Sequence, residues 1–373
     1  MRAPVRALVV AIALAAHPAL AQSGQSVAAF WKAVQARCDA TAAKPPNALG
    51  RRVGRIAIEE FDKFGGHEID SDGRLFHFGL TEAEQEKEYG GTRPARLGHL
   101  GWWQVMKYWR ALYGNDAADK LEVRGYRDAS STADEAQSAA LLRTNAAQLL
   151  RAAEGIADPA AREILREAAL RAAIIDTPWS AAFVSYVIRR SGVAANAFHF
   201  ANAHRVFIYD AFATSMAEQT NQASGQLYRA CPLITTRPRV GDLICFQREP
   251  ALADASAAAV RERIRAELSG PTDARSVRRT HCDVVAYIDT PARKMYVIGG
   301  NVQQAVTVKK LNLRQRGLKF STVQTGKCGS PGHWTLPQPA SGAPLPPNRG
   351  QKCSLNDKKW FVLLQMRSGK AVR

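Results

Sequence analysis

Near residue 240 the chain changes character, and that change restricts its fold more than any single motif. Beyond it, VGDLICF, HCDVVAYID, KMYVIGG, AVTVKKLNL and KWFVLLQM are rich in β-branched and aromatic residues, with turn signals such as Asp289-Thr290-Pro291 between them. Before it the apolar residues recur at helical spacing. In VGRIAIEEFDKFG, Val53, Ile56, Ala57 and Phe61 share one face and Gly65-Gly66 ends the run. A second helix is expected through GHLGWWQVMKYWRALYG, whose aromatic residues suit a core or groove wall better than a cofactor box. Residues 134–175 are Ala-, Leu-, Arg- and Glu-rich and read as helical, with a break at Asp158-Pro159. Helices first and strands second predict an α+β domain, with N-terminal helices packed on an antiparallel sheet. That domain is expected over 49–373, with insertions at about 250–280 and about 321–358. A helical leader, 22–48, precedes it and is expected to pack loosely.

Residues 1–21, MRAPVRALVVAIALAAHPALA, read as a signal peptide. Two arginines precede a short apolar run, and Ala19-Leu20-Ala21 forms a small-x-small cleavage site. The run falls short of the roughly 20 residues that a membrane span needs. The expectation is an exported protein, periplasmic or extracellular, with no stable membrane span and a monomeric state. Export permits disulfides, and the chain has six cysteines with no Cys-x-x-Cys. Cys328 with Cys353 is the candidate pair, closing a Pro/Gly-rich loop. A site built from His204, His281 and a cysteine lacks a recognisable ligand spacing, so neither metal nor cofactor is expected. The net charge of +18 favours polyanions, and for an exported chain these are peptidoglycan or another anionic envelope polymer. The basic residues are scattered and carry no nucleic-acid-binding signature, so nucleic acid is not expected as a partner.

The stretch TPWSAAFVSYVIRRSGV carries the candidate chemistry. Thr177 suits an N-cap and Pro178 the first helical position, which sets Ser180 in the first turn beside free backbone N–H groups. A hydroxyl there needs a base, and the base needs an orienting group. His281 opens one strand and Asn301 ends the next, so a hairpin brings Asn301 toward the His281 imidazole. Asp283 shares a face with His281 by strand alternation and is the alternative orienting group. Cys282 points to the other face and reads as buried packing. His204, in FANAHRVFIYDAF, suits a cleft-lining or a structural role, and Asp176 and Thr177 read as capping residues.

The series WSAAFVSYVIRRSGV, PRVGDLICF, HCDVVAYID and VIGGNV resembles the motif order of the papain-like cell-wall peptidases of the NlpC and CHAP types. The chain most resembles a bacterial family catalogued as domain of unknown function 2272, over roughly Val53 to Met366. The resemblance implies a papain-like fold, with Ser180 in the slot that usually holds a cysteine nucleophile and Trp179 as its supporting neighbour. It also implies His281 as base, Asn301 as orienting residue, and an amide bond of the cell wall as substrate. A serine hydroxyl, unlike a thiolate, must lose its proton during attack. The alternative is a non-catalytic envelope-binding module that keeps the cleft.

Overall fold

The protein is described by a computed structural model over residues 26–69, 75–77, 79–82, 101–126, 141–322, 356 and 358–367. The expected signal peptide, the Cys328–Cys353 pair and most of the second insertion lie outside the described residues. The first two helices, α1 (Val27–Ala42) and α2 (Ala48–Lys63), begin at polar caps: Ser26 Oγ accepts from Ala29 N and Asn47 Oδ1 from Gly50 N. Short strands β1 (Glu68–Ile69) and β2 (Leu75–His77) follow, then α3 (Gly101–Tyr113). Next come β3 (Glu122–Tyr126), β4 (Leu141–Asn145), α4 (Ala146–Ala153), α5 (Pro159–Asp176), α6 (Ser180–Arg190) and α7 (His204–Gln219). The C-terminal part holds β5 (Tyr228–Pro232), β6 (Leu243–Gln247), α8 (Ala257–Glu267), β7 (Thr280–Asp289), β8 (Lys294–Val302), β9 (Ala305–Asn312) and β10 (Trp360–Met366).

Among the described residues one eight-stranded sheet runs in the order β2-β1-β9-β8-β7-β6-β10-β5, and β3 and β4 form a separate pair. Neighbours in the large sheet are antiparallel except β1 with β9. The chain is thus α+β, with helices laid on a largely antiparallel sheet. The sheet is covered on both faces, and alternate residues of each strand enter different cores. Leu243, Cys245, Cys282 and Val284 join the core beneath α2, α3, α6 and α7, whereas Ile244, Phe246 and Val285 join a second core with Phe30 and Val34 of α1.

Two expectations need correction. The leader is not loosely attached: α1 buries Phe30, Val34 and Cys38, and a Cys38–Cys231 disulfide fastens it to β5. The region 134–175 is not helical throughout, because Leu141–Asn145 pairs in register with Glu122–Tyr126. Asn145 explains where helix begins. Its side chain accepts from Gln148 N while the Gln148 side chain reaches back to Asn145 N, a capping box that stops α4 from extending upstream. The insertion at about 250–280 contains α8, which buries Val260 and Ile264.

Candidate active site

Ser180 lies in the first turn of α6, as expected, but the helix starts two residues later than expected: Ser180 is its first residue, Pro178 precedes it, and the cap differs too. Trp179 occupies the N-cap position and makes no side-chain capping bond. Thr177 instead closes α5, and its hydroxyl both accepts from Glu122 N at 2.8 Å and donates to Glu122 O at 3.1 Å. Asp176 Oδ2 accepts from Arg124 N at 2.8 Å. These two residues therefore anchor β3 and leave the first-turn N–H groups of α6 uncapped, with the positive end of the helix dipole beside Ser180.

The imidazole that meets Ser180 is that of His204, the first residue of α7. Its Nε2 lies 2.8 Å from Ser180 Oγ. This corrects the assignment of that contact to His281. The physical reason lies in strand alternation: His281 stands opposite Phe246 and Asp283 opposite Ile244, so both point toward the second core, while α6 packs on the first. The two histidines meet where α7 lies against β7, with ring centroids 4.9 Å apart. Cys282 faces away from His281, as expected, but it is disulfide-bonded to Cys245 across the strand pair, not a packing thiol.

Behind His281 sits a buried ion pair. His281 Nε2 lies 2.9 Å from Asp283 Oδ1, and Lys309 Nζ donates to the same oxygen at 2.7 Å. Both Asp283 and Lys309 have 0% exposure. The neighbouring Lys309 and His281 hold the Asp283 carboxyl well below its ordinary range despite its burial. Burial above all lowers Lys309 to about 8, with Asp283 opposing the shift. Burial also lowers His281 to about 4, and it presses His204 well below the ordinary histidine value, helped by the His281 charge. Both imidazoles are neutral near pH 7, the state in which a ring nitrogen accepts a proton.

Gly299 and Gly300 make room for this arrangement. A Cβ on Gly299 would fall 1.9 Å from Asp283 Oδ1 and 2.9 Å from His281 Nε2. One on Gly300 would fall 2.5 Å from the Phe183 Cβ of α6. The two glycines thus let β8 approach the acid–imidazole pair on one face and the helix on the other. Asn301 follows in the left-handed conformation, φ 51°, at an irregularity of the β8–β9 pairing, and no hydrogen bond joins it to His281 among the described residues. Of the two orienting groups weighed from the sequence, Asp283 is the one in contact with His281.

Trp179 is a wall and not a lining residue. It is fully buried, stacked on Phe64 at 6.0 Å and tilted against Tyr108 at 5.8 Å. Its indole N–H donates to the buried carboxylate of Glu82, which the sequence reading missed. Burial raises the Glu82 carboxyl to about 7, against the lowering effect of the Trp179 bond. Glu82 N donates to Gln304 O at 2.7 Å, so the segment is tied to the β8–β9 turn. Among the described residues no group of three or more His, Cys, Asp or Glu side chains is arranged to hold a metal ion. No described helix is long and apolar enough to cross a membrane.

Residues 97–366 match the model of a family described as uncharacterized protein conserved in bacteria, DUF2272. No curated protein and no solved structure matches the chain.

Proposed function

The chain belongs to the bacterial family DUF2272, and from that premise we propose that it is an exported acyl hydrolase of papain-like design, in which Ser180 is the nucleophile and His204 its base. The observation that carries this reading is the 2.8 Å contact between Ser180 Oγ and His204 Nε2 at an uncapped helix start. With the His204 proton on Nδ1, Nε2 accepts the hydroxyl proton as Oγ attacks a carbonyl carbon, then returns it to the leaving group. N–H groups of the first turn of α6 suit the oxyanion. His281, with Asp283 and Lys309 behind it, shapes the electrostatics of His204 and makes no hydrogen bond to Ser180 among the described residues. The papain-like placement is supported by the helix-then-sheet order and the WSAAF motif at the start of α6.

The substrate class we propose is an amide bond of peptidoglycan or a related anionic envelope polymer. Two disulfides suit an oxidising compartment outside the cytoplasm, and a charge of +18 suits a polyanionic substrate. The second reading, a binding module that keeps the cleft without turnover, is favoured by the 7% exposure of Ser180. Incubation with purified peptidoglycan separates them. Wild type is expected to release fragments, and Ser180→Ala and His204→Ala to lose about 100-fold or more in rate. Equal release by wild type and both variants removes the hydrolase.

A further inference from the structure

We infer that the end of the sheet beside His281 is a subsite for the carboxylates of an extended anionic substrate, formed by Arg248, Arg279, Lys358 and Lys359. The inference deepens the proposed function and rests on that reading for its link to catalysis. Strand order gathers these four cations. β6 lies between β7 and β10. Just past its end Arg248 N donates to Arg279 O at 2.7 Å on one side, and Gln247 N donates to Lys359 O at 3.1 Å on the other. Three adjacent strands therefore carry cationic side chains at one level, a row about 10 Å wide at the usual strand spacing.

The row adjoins the candidate active site. The Arg248 guanidinium lies 5.9 Å and the Lys358 ammonium 5.0 Å from the centroid of Phe246, whose ring is 5.1 Å from that of His281. The charge of Arg248 is felt at His204, His281 and Lys309. Several arginines elsewhere find acids, as in Arg229 with Glu218, Arg190 with Glu60 and Arg265 with Glu262. Here none of the four cations has an ion-pair partner among the described residues. Glu249 Oε2 accepts from Arg279 N at 3.3 Å, and Asp283 is already shared by Lys309 and His281. Like charges on neighbouring strands repel, and an arriving anion relieves that repulsion. A row across three strands suits charges repeated along a chain better than one compact dianion, and guanidinium beside ammonium suits carboxylates.

The test is fluorescence anisotropy of labelled short poly-L-glutamate with the mature chain over a range of salt, with polyphosphate of matched charge as a second probe. Arg248→Gln/Lys358→Gln is expected to bind polyglutamate about fivefold or more weakly, with a shallower salt dependence. Lys32→Gln/Lys44→Gln, which removes two exposed cations of the N-terminal segment, is expected to change it less than about twofold. Equal weakening in both double variants, or polyphosphate binding as tightly as polyglutamate, overturns the subsite. Ser180→Ala is expected to bind like wild type. If wild type binds through these cations yet releases nothing from peptidoglycan, the subsite stands and the hydrolase falls; if it cleaves while Arg248→Gln/Lys358→Gln binds normally, the subsite alone falls.

Discussion

Gly299 lies directly beneath the Asp283 carboxylate, and a single methyl group there would occupy space that the His281–Asp283 hydrogen bond needs. Gly299→Ala is therefore expected to cost about 1–3 kcal/mol, read as a lowered denaturation midpoint, because Asp283 is also held by Lys309 and cannot swing aside freely. Glu82 gives a prediction of opposite sense. Its folded value of about 7 lies above its ordinary one, so the fold favours the protonated form and loses stability as pH rises from about 4.5 to 7. Glu82→Gln keeps an acceptor for Trp179 Nε1 and should stabilise by about 1 kcal/mol at pH 8 but not at pH 4, as thermal melts at the two values will record. At this scale half of the site was legible. Proline and the apolar stripe after Ser180 announced its place at a helix start, and alternation announced that Asp283 accompanies His281. The Ser180–His204 contact was not, because it joins two helix starts 24 positions apart through tertiary packing, to which local periodicity is blind.

The elements that could be read from sequence were those whose burial matches their period. Strands β6 to β10 are rich in apolar and β-branched residues at successive positions because helices or a second core cover both faces. Strand β5, YRACP, escaped notice because arginine and proline interrupt its apolar character; Arg229 is buried with its charge paired to Glu218 and further N–H groups donated to Thr41 Oγ1, Arg37 O and Gln365 Oε1. Strand β4 escaped because it is embedded in helix-forming composition and only Asn145 marks its end. The disulfides were beyond reach, since separations of 193 and 37 residues follow from topology alone. Loop-closure entropy assigns the Cys38–Cys231 link about 5 kcal/mol, against about 4 for Cys245–Cys282. Replacing Cys38 and Cys231 together by serine should free α1 first, and limited proteolysis should then cut within residues 26–47 before the body of the domain yields.

For the molecule as a whole, two neutral imidazoles sealed between the cores set the response to acid. Their folded values lie below the unfolded one near 6.5, so on acidification the unfolded chain takes up protons before the folded one. The stability they contribute is present above about 6.5 and is lost as pH falls toward about 4, at roughly 1.4 kcal/mol per pH unit for each ring that stays neutral. Urea midpoints at pH 7 and 5 will measure this slope, and His204→Gln/His281→Gln should flatten it. The position of β10 has a consequence of another kind. It is an interior strand, between β5 and β6, yet it is supplied by residues 360–366, long after both neighbours have been made. A ribosome or export channel that delivers the chain from its N-terminus therefore holds two unzipped strand edges until that last piece emerges, and chaperones that shield such edges have their longest task here.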